Sequence, residues 1–278
     1  MGMFDWFSGK KREKIEVNNT KISSDFSNFK RVTDYIYEKS GITDLDKRAL
    51  TASHLKNYAK EEGVYTTTEF LKMMETNKSF YQEVMNIATI NESFFYREKK
   101  ELEWLISYIK ESNHKLDILV LPCSTGEEVY SILLLMLEEG ISLDKVNISG
   151  CDLNSQAVKS AKRAEYDEYS LHNIKTQIRD KYFTQNEQKF YEIKTSIKEK
   201  PKFFQENIFE INVSLKKYDI VLSRNMFIYF DDENRKKALQ VIVDILKPNG
   251  VYIKGHADYI QKHESLKNLT YGIYSKQI

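Results

Sequence analysis

The feature that most constrains this chain is a change of hydrophobic period near residue 116. Leu116–Leu121 is a short apolar run, followed at once by the turn Cys123-Ser124-Thr125-Gly126 and by Val129, Ile132, Leu133 and Met136 at helical spacing. So short a run reads as a strand buried on both faces. Val146–Leu153 repeats the pattern, with a helix near Asn154–Ala164. Tyr218–Leu222 is another strand, Asp231 caps a helix ending near Leu246, Lys247-Pro248-Asn249-Gly250 is a turn, and Val251–Lys254 is a further strand. Strands alternating with helices predict an α/β fold with a doubly wound, mostly parallel sheet. Tyr271–Ser275 is expected as an antiparallel edge strand. Residues 166–202, rich in charges and aromatics with a hairpin around Asn186-Glu187, read as an inserted β-subdomain.

Ahead of the sheet the period is helical. Phe26, Phe29, Val32, Tyr35 and Ile36 form one apolar stripe. Thr43 to Asp46 has the pattern of a capping box, and Gly63 that of a helix stop. The helix between them carries Lys47, Arg48, Lys56 and Lys60. Thr66 to Glu69 is a second capping box, opening a helix whose Met73 and Met74 serve as core filler. The expected division is a flexible tail over 1–22, with Phe4, Trp6 and Phe7 loosely packed, a helical domain and linker over 23–96, and a sheet domain over 97–278 with its insert at about 166–202.

Composition removes several function classes. Lys plus Arg is 42 against 41 Asp plus Glu, so the strong basic bias of a nucleic-acid binder is missing. No apolar stretch approaches the roughly eighteen residues of a membrane helix, and MGMFDWFSGKKREK runs from apolar to charged, the wrong order for a signal peptide. Cys123 and Cys151 fall in or beside apolar runs, as buried reduced thiols of a cytoplasmic protein do. Five histidines without H-E-x-x-H spacing and two isolated cysteines predict no metal site.

In open parallel sheets ligands bind beyond the carboxyl ends of the strands, so the residues that follow each strand are the candidates. After the first comes Ser124-Thr125-Gly126-Glu127-Glu128, where the glycine lets a ligand approach the backbone. This is neither phosphate-binding glycine motif, and no lysine is present for a polyphosphate. Two carboxylates repel phosphate and tolerate a cation such as S-adenosylmethionine, with its sulfonium and ammonium; alternatively they complete capping boxes with Ser124 and Thr125. Asp152, after the second strand, suits ribose hydroxyls or caps the next helix. Asn207 offers an amide to an adenine edge, and Arg224-Asn225-Met226-Phe227-Ile228-Tyr229-Phe230 follows a later strand. Polar groups at successive strand ends are what a nucleoside pocket requires.

Four segments, in order, resemble the CheR chemotaxis methyltransferases over about residues 24 to 260. They are Asn91-Glu92-Ser93-Phe94-Phe95-Tyr96-Arg97-Glu98, Cys123-Ser124-Thr125-Gly126-Glu127-Glu128-Val129-Tyr130-Ser131-Ile132, Ser223-Arg224-Asn225-Met226-Phe227-Ile228-Tyr229-Phe230, and Leu246-Lys247-Pro248-Asn249-Gly250 running to Gly255-His256. The resemblance implies the S-adenosylmethionine methyltransferase fold, with that compound as cofactor and S-adenosylhomocysteine as product. It implies O-methylation of glutamates on receptor cytoplasmic helices. Asn91, Ser93 and Arg97 then lie over the cofactor; Glu128 and Asp152 hold its amino-acid end and ribose; Asn207, Ile208, Asn225 and Met226 frame the adenosine; Arg97 and Tyr229 flank the transferred methyl. A basic face of Lys47, Arg48, Lys56 and Lys60 docks on receptor helices, with electrostatic sense because those helices are rich in Glu and Gln. Ser93, Val129 and Pro122 stand where the family commonly has Thr, Pro and Ala, and Gly-His-Ser reads Gly-His-Ala. Tyr182–Tyr191 lacks the Gly-rich turn of members that grip a receptor's C-terminal peptide, so tethering is expected to be absent or altered. A methyltransferase for another protein or a small acid, and a non-catalytic cofactor-binding module, are the competing expectations.

Overall fold

The chain is described by a computed structural model over residues 24–277; the expected tail lies outside the described residues. Four helices come first: α1 (Lys30–Ser40), α2 (Ala49–Glu61), α3 (Thr67–Thr76) and α4 (Lys78–Ala88). Their apolar stripes share one core that includes Phe29, Val32, Ile36, Leu55, Phe70, Phe80 and Val84. Edge-on ring contacts order it, Phe29 to Phe70 at 5.6 Å and Phe70 to Phe80 at 5.1 Å. Met74 is buried and Met73 packs beside it as filler. Thr66 and Glu69 make the expected reciprocal capping box. The box expected at Thr43–Asp46 does not form. Asp44 turns left-handed, Leu45–Lys47 makes a 3-10 turn, and α2 begins at Ala49. The Thr43 amide and hydroxyl instead donate to the Tyr229 carbonyl at 2.9 and 3.0 Å, a tertiary acceptor that displaces the local one.

After α5 (Lys99–Glu111) the chain alternates β1 (Leu116–Val120), α6 (Glu127–Glu138), β2 (Val146–Asp152) and α7 (Ser155–Arg163). The insert follows as β3 (Glu165–Tyr166), α8 (Thr176–Tyr182), β4 (Phe183–Gln185) and β5 (Tyr191–Ile193). After the short α9 (Thr195–Lys198) the chain returns as β6 (Lys202–Gln205), β7 (Tyr218–Ser223), α10 (Asp232–Ile245), β8 (Leu246–Lys254), β9 (Leu266–Thr270) and β10 (Ile273–Lys276). The seven-stranded sheet has the order β6-β2-β1-β7-β8-β10-β9, parallel through β8 and antiparallel across β10 and β9.

The burial of central strands on both faces follows from period two. Ile118 and Val120 of β1, Ile220 and Leu222 of β7, and Val251 and Ile253 of β8 pack toward α5 and α6. Their neighbours Leu119, Val221 and Tyr252 pack toward Leu239 and Ile242 of α10. Each strand thus needs helices on both sides.

Three sequence expectations shift. Tyr271–Ser275 is not the edge: β10 lies between β8 and β9, and Tyr271 is exposed in the turn that Gly272 closes. Lys247–Gly250 is not a separate turn but an irregularity inside β8, where Tyr218 pairs with Leu246 while Ile220 pairs with Val251. The insert's three-stranded antiparallel sheet runs from Glu165 to Ile193, and residue 202 already belongs to the main sheet. Its hairpin is where expected, with Asn186 Oδ1 accepting from the Gln188 and Phe190 amides. Among the described residues no helix is long and apolar enough to cross a membrane.

Candidate active site

The strand order reverses at β1, which has β2 on one side and β7 on the other; a cleft opens there, beyond the strand ends. The helical segment roofs it through Ser40, Ile42 and Arg48, and the linker after α4 through Asn91, Ser93 and Arg97. Glu128, Asp152, Asn207, Ile208, Asn225, Met226 and Tyr229 also line it. All the residues expected at the cofactor and at the transferred methyl are therefore brought together.

The turn after β1 is shaped by two left-handed residues, Ser124 and Gly126. Gly126 does not serve ligand approach as expected. A Cβ there would meet Ala161 and the Tyr166 hydroxyl at 3.0 and 3.1 Å, so the glycine allows α7 and the insert to close on the turn. Ser124 N–H donates to Asp152 Oδ2 and Asn154 N–H to Oδ1, both at 2.8 Å, which aligns the carboxylate and joins two strand ends. Burial pushes the Asp152 carboxyl up to about 6. Each oxygen keeps a lone pair for a ligand hydroxyl. Asn154, not Asp152, caps α7.

The two glutamates of α6 do different work, and neither completes a capping box. Glu127 is buried and accepts from the Thr125 hydroxyl at 2.6 Å; burial pushes its carboxyl up to about 7, with the Thr125 hydrogen bond opposing the shift. Glu128 is paired with Arg224 at 3.1 Å. Arg224, 1% exposed, also pairs with Glu98 at 3.3 Å and donates to the Arg97 carbonyl. Two carboxylates thus share one guanidinium, leaving the floor of the cleft acidic. Buried Glu128 Oε1 and Ser124 Oγ have no hydrogen-bond partner. An unsatisfied carboxylate oxygen beside this surplus of negative charge fits a ligand ammonium.

The Asn207 side chain lines the cleft and also ties α1 to the sheet: it donates to the Lys39 carbonyl at 2.7 Å and accepts from Phe209 N–H at 3.1 Å, which leaves one N–H and one lone pair. Arg97 donates to the Glu92 carbonyl at 3.1 Å and lies over Phe94. Its position follows from its neighbours, because Phe95 and Tyr96 are buried and Phe95 packs edge-on against Tyr166 at 4.8 Å. Burial raises the Tyr229 hydroxyl pKa, while Arg48 and Arg97 oppose the shift. Arg48 departs from the other three of the basic quartet. Arg48 turns into the cleft, Lys47 pairs with Asp44 at 2.5 Å, Lys56 lies over Phe29, and Lys60 is exposed.

Arg224 and Asp258 shape the site as well, without standing out in the sequence. Buried Asp258 accepts from the N–H groups of Asn225 at 2.5 Å, Gly255 at 3.2 Å and Ile228 at 3.3 Å. It thereby holds the turn that presents Asn225 and Tyr229, and burial pushes its carboxyl up to about 6. A charged residue directly after an apolar strand was the available signal for Arg224; Asp258 had none, being 33 residues from its partner Asn225.

The family model for the CheR methyltransferase SAM-binding domain matches residues 91–273. A chemotaxis protein methyltransferase of Campylobacter jejuni is 34% identical over 246 residues, 87% of this chain and 93% of the relative. Chemotaxis protein methyltransferase 2 of Vibrio cholerae is 30% identical over 258 residues, 86% of this chain and 88% of the relative. The Escherichia coli chemotaxis protein methyltransferase is 23% identical, covering 90% and 91%. With an acidic cleft at the switch point of the sheet and these matches over most of its length, the chain belongs to the CheR family of S-adenosylmethionine-dependent methyltransferases.

Proposed function

We propose that this methyltransferase esterifies glutamate side chains on the cytoplasmic helices of chemotaxis receptors. The observation that carries the reading is a reversal of charge within one cleft. Among the lining side chains Glu128 and Asp152 outnumber Arg224, whose other partner is Glu98 behind it, while partly exposed Arg97 lines the same cleft with Tyr229. Glu128 Oε1 receives the cofactor's ammonium and Asp152 its ribose hydroxyls. Ile208, Asn225 and Met226 frame the adenosine, and Asn91 and Ser93 cover it from the linker.

S-adenosylmethionine, when bound, supplies a sulfonium methyl group and leaves as S-adenosylhomocysteine. The acceptor carboxylate forms the new C–O bond, the C–S electron pair stays with sulfur, and no proton moves. Glutamate, with a pKa of about 4.3, is already ionised near neutral pH, so no residue has to act as a general base. The chain's task is alignment, worth roughly 7–11 kcal/mol at best. Arg97 orients the acceptor carboxylate through charge-assisted hydrogen bonds, and Tyr229 packs where the methyl passes.

On this reading residues 24–96 form the receptor-facing helical domain and linker, and residues 97–277 the catalytic domain. Lys47, Lys56 and Lys60 give the docking side its positive charge. The protein works in the cytoplasm. The β4–β5 turn lacks glycine, in keeping with a receptor contact that does not tether through a C-terminal peptide.

Incubating the protein with methyl-labelled cofactor and a receptor cytoplasmic fragment tests this. Base-labile label on receptor glutamates is the expected result. Label on small acids alone, or S-adenosylhomocysteine binding without turnover, would overturn it. The Arg97→Ala variant should lose transfer; undiminished transfer would remove Arg97 from the mechanism.

A further inference from the structure

Arg48 and Arg97 line the cleft, and the surroundings of Arg48 differ from those of Arg224. Arg224 is neutralised by two carboxylates. Among the described residues, no ion pair within 4.0 Å joins a carboxylate to Arg48 or to Arg97. The Arg48 Nη1 is buried and without a hydrogen-bond partner. Its guanidinium carbon lies 5.3 Å from the centre of the Tyr229 ring. The placement is built in, because Thr43, five residues earlier, holds the Tyr229 carbonyl through both its amide and its hydroxyl. A half-buried guanidinium with an unmade hydrogen bond, stacked on an aromatic at the rim, is poised for an anion that arrives from outside.

We propose that Arg48 is a second acceptor-holding residue of the transfer site, so that Arg48 and Arg97 together select an ionised glutamate over a neutral glutamine. This rests on the receptor-glutamate reading above and moves Arg48 from the docking face into the chemistry. Arg48 and Arg97 contact the acceptor carboxylate from the rim. One of its oxygens keeps a lone pair directed at the methyl, forms the C–O bond as the C–S pair leaves with sulfur, and neither arginine changes protonation. Stacking on Tyr229 keeps the fork in one plane, which a lysine cannot reproduce.

The test compares the full-length wild type with Arg48→Gln and Arg48→Lys. Each is assayed for methyl transfer to a receptor cytoplasmic fragment carrying Glu at its methylation positions. Binding is measured to that fragment and to one carrying Gln there. In Arg48→Gln, kcat/KM for the fragment should fall about ten- to a hundredfold, the loss of a charge-assisted contact. S-adenosylhomocysteine affinity and binding of the Gln fragment should stay within about twofold of wild type. Arg48→Lys should recover only part of the rate. Unchanged kcat/KM in Arg48→Gln overturns the assignment, and so does equal weakening toward both fragments, which returns Arg48 to docking. A parallel loss of S-adenosylhomocysteine affinity overturns it too. If the wild type leaves receptor glutamates unmethylated, the receptor reading itself fails, and the wild-type reaction alone reveals that.

Discussion

At the scale of single residues the site is governed by carboxylates whose charge is costly. Burial lifts the Glu127 carboxyl from 4.5 to about 7. The folded chain holds that proton to higher pH than the unfolded chain does. Its stabilising contribution is therefore complete below pH 4.5 and lost as pH rises through about 7. Glu127→Gln should abolish this slope and gain about 3 kcal/mol over wild type at pH 8, at roughly 1.4 kcal/mol per unit of pKa; urea unfolding at pH 4.5 and pH 8 measures it. Asp152 and Asp258 shift in the same direction, so the comparison with the variant isolates Glu127. Glu128→Gln should weaken S-adenosylhomocysteine binding about tenfold by removing the charge that meets the ammonium, as calorimetry will record. Arg224→Met should be more damaging, costing about 3–5 kcal/mol of stability, because it leaves Glu98 and Glu128 facing each other unpaired.

At the scale of elements, how much could be read in advance depends on how local the cause is. Strands β1, β2 and β7, helices α6, α7 and α10 and the Thr66–Glu69 cap follow from periodicity and neighbouring residues, and they form as expected. The start of α2 and the second attachment of Asn207 depend on partners far along the chain, which no local pattern announces. Thr43 answers to Tyr229, 186 residues away, and Asn207 answers to Lys39, 168 residues away. Asn207→Ala should lower the unfolding free energy by about 1–2 kcal/mol, the cost of one buried bond and one cap; an unchanged urea midpoint would refute its structural role.

At the scale of the molecule, the helical segment and the sheet are joined by a partly buried polar seam. Asn86 Oδ1 accepts from Ser155 N–H at 2.9 Å, Asn154 Nδ2 donates to the Asn86 carbonyl at 3.1 Å, and Tyr37 donates to Asp231 at 2.6 Å. These bonds tie the helical segment to the sheet, so the two are expected to unfold together. Calorimetry should record a single cooperative transition whose midpoint rises with S-adenosylhomocysteine concentration. Asn86→Ala should lower or split it.

The sequence by itself determined the sheet class, the strand ends that carry chemistry and the family, because hydrophobic period and contiguous motifs are local properties of the chain. Only the tertiary structure decided which charges cancel and which stay available. Arg224 is consumed by Glu98 and Glu128, whereas Arg48 turns inward to Tyr229. The physical reason is that a charge's effect depends on its distance to partners and on the water excluded around it. Both are set by segments that meet only after folding.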